Sequence, residues 1–387
     1  MICRKCDALA TILIRKEYWY CNTCFTTNTN HKFRACLGKS KTISSNEKVL
    51  ICLSGGAEST VLLDLVHSGI TLNGTKKLRI IPFFLHIIEE GTKKANFTME
   101  QCKQYNFNLY VINIEDYYST NNNILSNPNT IPKTKSKIVN NIRLNVSPSI
   151  YHDLVIKIKR HLFLRIAKEL NCKIVFTAET TTQLAKRLLS NLALGRGSQV
   201  ENDIGFADQR DKSVRILRPM KDIMNEEIDY FVKVKQLSYV HDYSNTKIGL
   251  QSVINNFVVD LQDNNYPSTI FTVCKIADKI GSNENTTDVK NCTLFPSILI
   301  QFNIIFCMMA KTLCSCEQTH PKFEFYRATA TFHRDVTFRP TIDWGPVVPA
   351  RSPNYNRPTD ILIPKNIFIS IKSTVKFPTV KTSKSKK

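Results

Sequence analysis

The chain has 387 residues, 42% of them hydrophobic, enough to bury a core of two or three domains and too many for a wholly disordered protein. Lys and Arg number 53 against 32 Asp and Glu, a formal charge of +21 that favours a polyanionic partner, most simply nucleic acid, over a small acidic substrate. No apolar run of the ~18 residues needed to span a bilayer is present, and Met1-Ile2-Cys3-Arg4 lacks the apolar core of a secretory signal, so the expectation is an intracellular protein without a membrane partner, its 13 cysteines serving as metal ligands and buried thiols.

The first of those cysteines form two hooks, Cys3-x-x-Cys6 and Cys21-x-x-Cys24, on either side of a predicted hairpin from Leu9 to Tyr20. Tetrahedral zinc needs four such ligands, and a site closed by four thiolates is structural, so a zinc ribbon is expected, with His31 as an alternative ligand. A basic stretch follows, with Lys32, Arg34, Lys39 and Lys41 around a short helix, suited either to a partner's phosphates or to solvent. Its Gly38-Lys39-Ser40 is no Walker A loop, because Phe33 stands where the leading glycine is required.

Val49-Leu50-Ile51-Cys52-Leu53 then reads as a buried parallel strand, and Val61, Leu62, Leu65 and Val66 recur at helical spacing. Between them lies Ser54-Gly55-Gly56-Ala57-Glu58-Ser59, a turn whose glycines admit a close ligand and whose hydroxyls and free helix N–H groups favour an anion. Further strands are predicted at Pro82 to Glu90, Phe107 to Ile114 and Lys173 to Thr177, with helices at about Thr98 to Tyr105 and Ser149 to Leu170. Such alternation predicts a parallel sheet with ligands beyond its carboxyl edge, where Ser54, His86, Glu89 and Glu115 would gather. His86 reads first as a hydrogen-bonded core residue and second as a nucleotide contact. Residues 118–141 read as a long mobile loop, and Lys157, Lys159, Arg160 and Arg165 as a basic helix face. A further helix, with Leu184, Leu188 and Leu192 on one face, ends at Gly195.

Ser54-Gly55-Gly56-x-Glu58-Ser59 resembles the PP-loop of ATP pyrophosphatases, with Glu58 in place of the usual Asp. The stretch from Thr181 to Gly197 resembles the cytoplasmic tRNA 2-thiolation protein 2 family. So do His31 to Arg34 with Leu37 to Ser40, Val214 to Asp222, and Asn256-Phe257 through Tyr266-Pro267-Ser268-Thr269, in family order from Cys3 to about Lys279. The fold implied is α/β, a parallel sheet with helices on both faces of the adenine nucleotide alpha-hydrolase kind, with the zinc ribbon at its N-terminus. The expected organisation is ribbon and basic connector over 1–45, PP-loop domain over 46–280, and a divergent region with a disordered basic tail over 281–387.

The resemblance implies a cytoplasmic subunit of the complex that replaces the C2 oxygen of a tRNA wobble uridine by sulfur. ATP adenylates the uridine, sulfur comes from a ubiquitin-related modifier, and the paralogous protein 1 is the catalytic partner in a heterodimer. Nucleotide would lie on Ser54, Gly55, Gly56, Glu58 and Ser59, structural zinc on Cys3, Cys6, Cys21 and Cys24, and tRNA on Lys32, Arg34, Lys39, Arg187 and Arg196. Arg196, Arg210 and Arg218 are candidates for a phosphate clamp, since Arg offers a bidentate fork. No catalytic residue is assigned. Active relatives carry an acid-rich stretch after the fourth strand with flanking cysteines; here that stretch is Thr177-Ala178-Glu179-Thr180-Thr181, and Cys172 reads as a packed thiol. An autonomous adenylating enzyme and a zinc-dependent scaffold without nucleotide are the alternatives. Cys292, Cys307, Cys314 and Cys316 are too irregular to predict a second zinc site.

Overall fold

In the computed structural model the described residues are 1–280, apart from 41, 75–76, 120–123, 134–137, 147, 198–199, 242–248 and 264–265. The expectations for 281–387, basic tail and irregular cysteines included, lie outside them.

Two short strands, β1 (Ile12–Ile14) and β2 (Tyr18–Tyr20), form the expected antiparallel hairpin. The basic stretch is the second half of a 19-residue helix, α1 (Asn22–Ser40), longer than the short helix expected, and Gly38 and Lys39 lie within it rather than in any phosphate loop. The main sheet then begins with β3 (Glu47–Cys52), α2 (Ala57–Thr71), β4 (Ile80–Ile88), α3 (Lys93–Gln104) and β5 (Leu109–Asn113). After a 3-10 turn, Ile114–Tyr118, come α4 (Ile138–Asn145), α5 (Pro148–Glu169), β6 (Ile174–Phe176) and α6 (Thr181–Ala193). The order closes with α7 (Val200–Ile204), β7 (Ala207–Asp208), β8 (Arg215–Leu217), α8 (Asn225–Lys235), α9 (Leu250–Asp263) and α10 (Pro267–Ile280).

Among the described residues the sheet has six strands in the order β5-β4-β3-β6-β8-β7, parallel throughout except for the edge strand β7. The chain winds from β3 out to β5, then returns to place β6 on the other side of β3. This switch point leaves a crevice beside the carboxyl end of β3, where open α/β sheets take their ligands. Strand alternation sorts the core: Val49 and Ile51 pack with α2, α3 and α8, whereas Leu50 and Cys52 pack with α5 on the opposite face. Ile12, Ile14, Tyr20 and Phe25 join the first of these clusters, so ribbon and sheet share one core. A third cluster joins α6, α7, α9 and α10.

Two expectations need correction. Within 118–141, the described residues are tied down: Asn129 exchanges hydrogen bonds with the Leu109 backbone, Glu169 accepts from the N–H groups of Ile124 and Leu125, and 138–141 begin α4. Leu184 and Leu188 are buried, but Leu192 is 46% exposed, because α6 outruns its packing one turn before it ends at Gly195 (φ +68°). Among the described residues no helix is long and apolar enough to cross a membrane.

Candidate functional site

The turn after β3 is built to present backbone. Gly55 has φ +83°, and a Cβ there would meet the Thr98 hydroxyl at 3.0 Å, so both backbone conformation and α3 demand glycine. Gly56 has ordinary dihedrals and caps α2 without a side-chain hydrogen bond; its Cβ position opens onto Ser54 Oγ at 3.7 Å and Glu58 Oε2 at 3.5 Å. Ser59 pins the turn: its Oγ accepts from the Gly55 N–H at 3.0 Å, donates to the Gly56 carbonyl at 2.9 Å, and meets Ser54 Oγ at 3.3 Å. Ser54, Gly55, Gly56, Glu58 and Ser59 thus converge on the N-terminus of α2, whose unsatisfied N–H groups favour an anion.

Glu58 carries the departure from the usual Asp. Its Oε1 accepts from Gln183 Nε2 at 2.7 Å, which links the turn to the first turn of α6. Sequence reasoning missed Gln183, although Thr180-x-x-Gln183 is the pattern of a capping box and the structure has one there.

Glu179, the lone acid of the stretch after β6, sits between Arg187 and Arg218, with Arg218 Nε at 2.5 Å. Burial alone would raise the Glu179 pKa, but the two guanidinium groups override it and hold it at about 2. Arg218 also donates to the carbonyls of Gly205 and Asn202, and Arg210 pairs with Asp203 and Asp208. The proposed clamp is therefore spent inside the fold: Arg196 pairs with Asp153, Arg210 and Arg218 as above. Along α5, Lys159 meets Glu89, Arg160 meets Asp208, and Arg165 donates to the carbonyls of Asp116 and Ser119, so this face holds the sheet edge together.

His86 is 3% exposed and its Nδ1 lies 2.9 Å from the Leu53 carbonyl, with burial lowering its pKa to about 4. A neutral histidine bracing β4 against the root of the turn is the core reading. Outside the ribbon, Cys52, Cys102 and Cys172 are buried, and desolvation pushes Cys102 to about 12, Cys172 to about 11 and Cys52 well upward. A thiol so disfavoured as thiolate is a poor nucleophile and metal ligand.

At the ribbon the four sulfurs of Cys3, Cys6, Cys21 and Cys24 lie within 4.8 Å of one another. Cys6 Sγ is 3.6 Å from Cys21 Sγ and 3.5 Å from Cys24 Sγ, and the N–H groups of Lys5 and Cys24 point at Cys3 and Cys21 sulfurs. Burial works against the Cys3 thiolate, but backbone donors, first that of Cys21 and then those of Lys5 and Cys6, prevail and lower its pKa to about 6; Cys24, crowded first by the Cys6 and Cys21 thiols, rises to about 12. Four sulfurs that cannot all ionise without a cation at their centre fit a structural metal. His31 is not of this group; it lines a cleft farther along α1.

Of the residues expected to meet tRNA, Lys32 pairs with Glu227 of α8, Arg187 with Glu179 and Arg196 with Asp153. Lys39 is exposed near the end of α1, and Arg34 faces the cleft that His31 lines.

The sequence matches the family model "Cytoplasmic tRNA 2-thiolation protein 2" over residues 249–303 and the PP-loop domain model over 157–258. Cytoplasmic tRNA 2-thiolation protein 2 of Aedes aegypti is 31% identical over 356 residues, covering 86% of this chain and 78% of the relative. The protein of that name from Drosophila simulans is 31% identical over 300 residues, covering 73% of each chain, and the one from Danio rerio is 30% identical over 335 residues, covering 72% and 67%. Among solved structures, U34-tRNA thiolase NcsA of Methanococcus maripaludis, determined with its 4Fe-4S cluster, matches with a TM-score of 0.60 at 19% identity over 79% of this chain and 98% of that one, which establishes the fold.

Proposed function

Because the chain belongs to the cytoplasmic tRNA 2-thiolation protein 2 family, with a role in tRNA thiolation, we propose that it acts as the tRNA-binding, supporting subunit of a wobble-uridine 2-thiolation complex. Its catalytic partner would be the paralogous cytoplasmic tRNA 2-thiolation protein 1, with a ubiquitin-related modifier as sulfur donor. One observation carries the supporting role. The acid after β6 is locked between Arg187 and Arg218, and the thiols of Cys52, Cys102 and Cys172 are buried and held protonated, so these groups are committed to structure.

Bound ATP would supply the leaving group that makes the uridine C2 oxygen displaceable. Toward its phosphates the chain offers the Gly55 and Gly56 backbone, the α2 N-terminus and the hydroxyls of Ser54 and Ser59. Glu58, held by Gln183, stands at the mouth of that turn, where a carboxylate favours a metal-shielded phosphate over a bare one. Zinc on Cys3, Cys6, Cys21 and Cys24 would act only by holding the hairpin to α1.

The purified chain, incubated with labelled ATP, unmodified tRNA and a sulfur donor, with and without the paralogue, tests this reading. The expected result is tRNA binding without 2-thiouridine when the chain is alone, and product when the paralogue is added. Formation of 2-thiouridine by the chain alone would overturn the supporting role, and no dependence of the paralogue's activity on this chain would overturn membership of the complex.

A further inference from the structure

A cleft of about 780 Å³ opens at the end of the sheet opposite the PP-loop. One wall is a single face of α1, where His31, Arg34, Ala35 and Gly38 follow helical spacing. The other wall is made by residues 43–45, which lead into β3, and by Lys77, Leu78 and Arg79, which lead into β4. Since β3 runs from Glu47 to Cys52, the cleft lies about 20 Å from Ser54 along the strand.

Several cations elsewhere in the described fold are spent on acids. Lys32, Lys159, Lys168, Arg160, Arg187, Arg196, Arg210 and Arg218 each have an acidic partner. In the cleft, the side chains of Arg34, Lys77 and Arg79 form no ion pair among the described residues, while Glu47 beside them is turned to the Ser44 N–H. Leu37, Ile43 and Leu78 give the cleft an apolar floor, and Gly38, Ser44 and Ser45 keep its rim low, with nothing within 4 Å of a Cβ at Gly38. Unpaired cations over an apolar floor suit a chain of phosphates and sugars better than an isolated inorganic anion.

We propose that this cleft is an RNA-binding site, separate from the nucleotide turn, which grips the sugar-phosphate backbone of a tRNA at the sheet edge remote from the PP-loop. The proposal rests on the tRNA reading above and adds the place of contact. At about 20 Å from the turn, the cleft serves the body of the tRNA and not the reacting base. It also sorts the sequence candidates: Arg34 contacts RNA directly, whereas Lys32, Arg187 and Arg196 act within the fold.

The full-length chain, the Arg34→Ala/Arg79→Ala double variant and Gly38→Glu would be titrated with unmodified tRNA transcripts by fluorescence anisotropy across a salt series. Neither alteration removes a partner from the described fold, and Gly38→Glu exchanges a weak helix former for a better one while placing a carboxylate in the cleft. Zinc content and urea midpoint should therefore match wild type. The expected result is weaker binding by both variants, equal across tRNA sequences, with the slope of log affinity against log salt falling by about one for each phosphate contact removed. Wild-type binding with an unchanged slope in both variants would overturn the cleft while leaving the tRNA role standing. Unchanged tRNA binding with lost association of the paralogue would make the cleft a surface for an acidic protein and equally overturn the proposal. A wild-type chain that binds no tRNA would overturn the tRNA role and the cleft together.

Discussion

Replacing Glu179 by Gln removes a charge but keeps the shape, and leaves Arg187 and Arg218 facing a neutral amide in a mostly buried site. The magnitude follows from the carboxyl itself. Its pKa falls from 4.5 to about 2 on folding, because the two guanidinium groups outweigh the opposing effect of burial. That depression corresponds to about 3 kcal/mol of stability at neutral pH. Breaking a buried ion pair by removing one partner costs about 3–5 kcal/mol, so the two routes agree. The sign is fixed by the direction of the shift: a depressed carboxyl contributes fully above its unfolded pKa, and the contribution is lost as pH falls through the folded value. Urea unfolding of wild type and Glu179→Gln should differ by about 3 kcal/mol at pH 7 and by about 2 kcal/mol near pH 3.5. Equal stability at pH 7, or a gap that widens on acidification, would refute the claim that this acid is structural.

Four other outcomes are expected. Gly56→Asp keeps an allowed backbone but projects a carboxylate toward Ser54 and Glu58, so nucleotide binding measured by calorimetry should disappear while zinc content stays. Gly55→Ala should also cost stability, since φ +83° and the Thr98 hydroxyl both oppose a Cβ; indifference of binding to either change would remove the turn as a phosphate site. Cys24→Ser should release about one zinc per chain and lower the thermal midpoint, because hairpin and α1 share the main core; undiminished metal in elemental analysis would sink the ribbon assignment. Deleting Arg351 to Lys387, nine basic residues against one acid, should weaken tRNA binding and flatten its salt dependence, and an unchanged slope would mean the tail makes no contact.

The sequence by itself determined what local rules govern. The apolar run Val49 to Leu53, the glycine turn and the helical spacing behind it fixed strand, turn and helix, because period and backbone freedom are properties of neighbouring residues. Paired Cys-x-x-Cys hooks fixed the cluster for the same reason, since each hook is a local turn and the hairpin between them is short. Charge was legible only as a total. Arg34 and Arg196 look alike in a sequence, yet one faces an open cleft and the other Asp153, 43 residues away. Only the tertiary structure decides such pairings, because an ion pair depends on which distant acid the fold delivers within a few ångströms. The same holds for Gln183 with Glu58, 125 residues apart, and for Cys172, whose inertness comes from burial beneath α5. The strands β7 and β8 escaped notice because, unlike the equally short apolar β6, they hold a charged residue in two or three positions and form no apolar run of their own; the β6 edge on which they build recruits them.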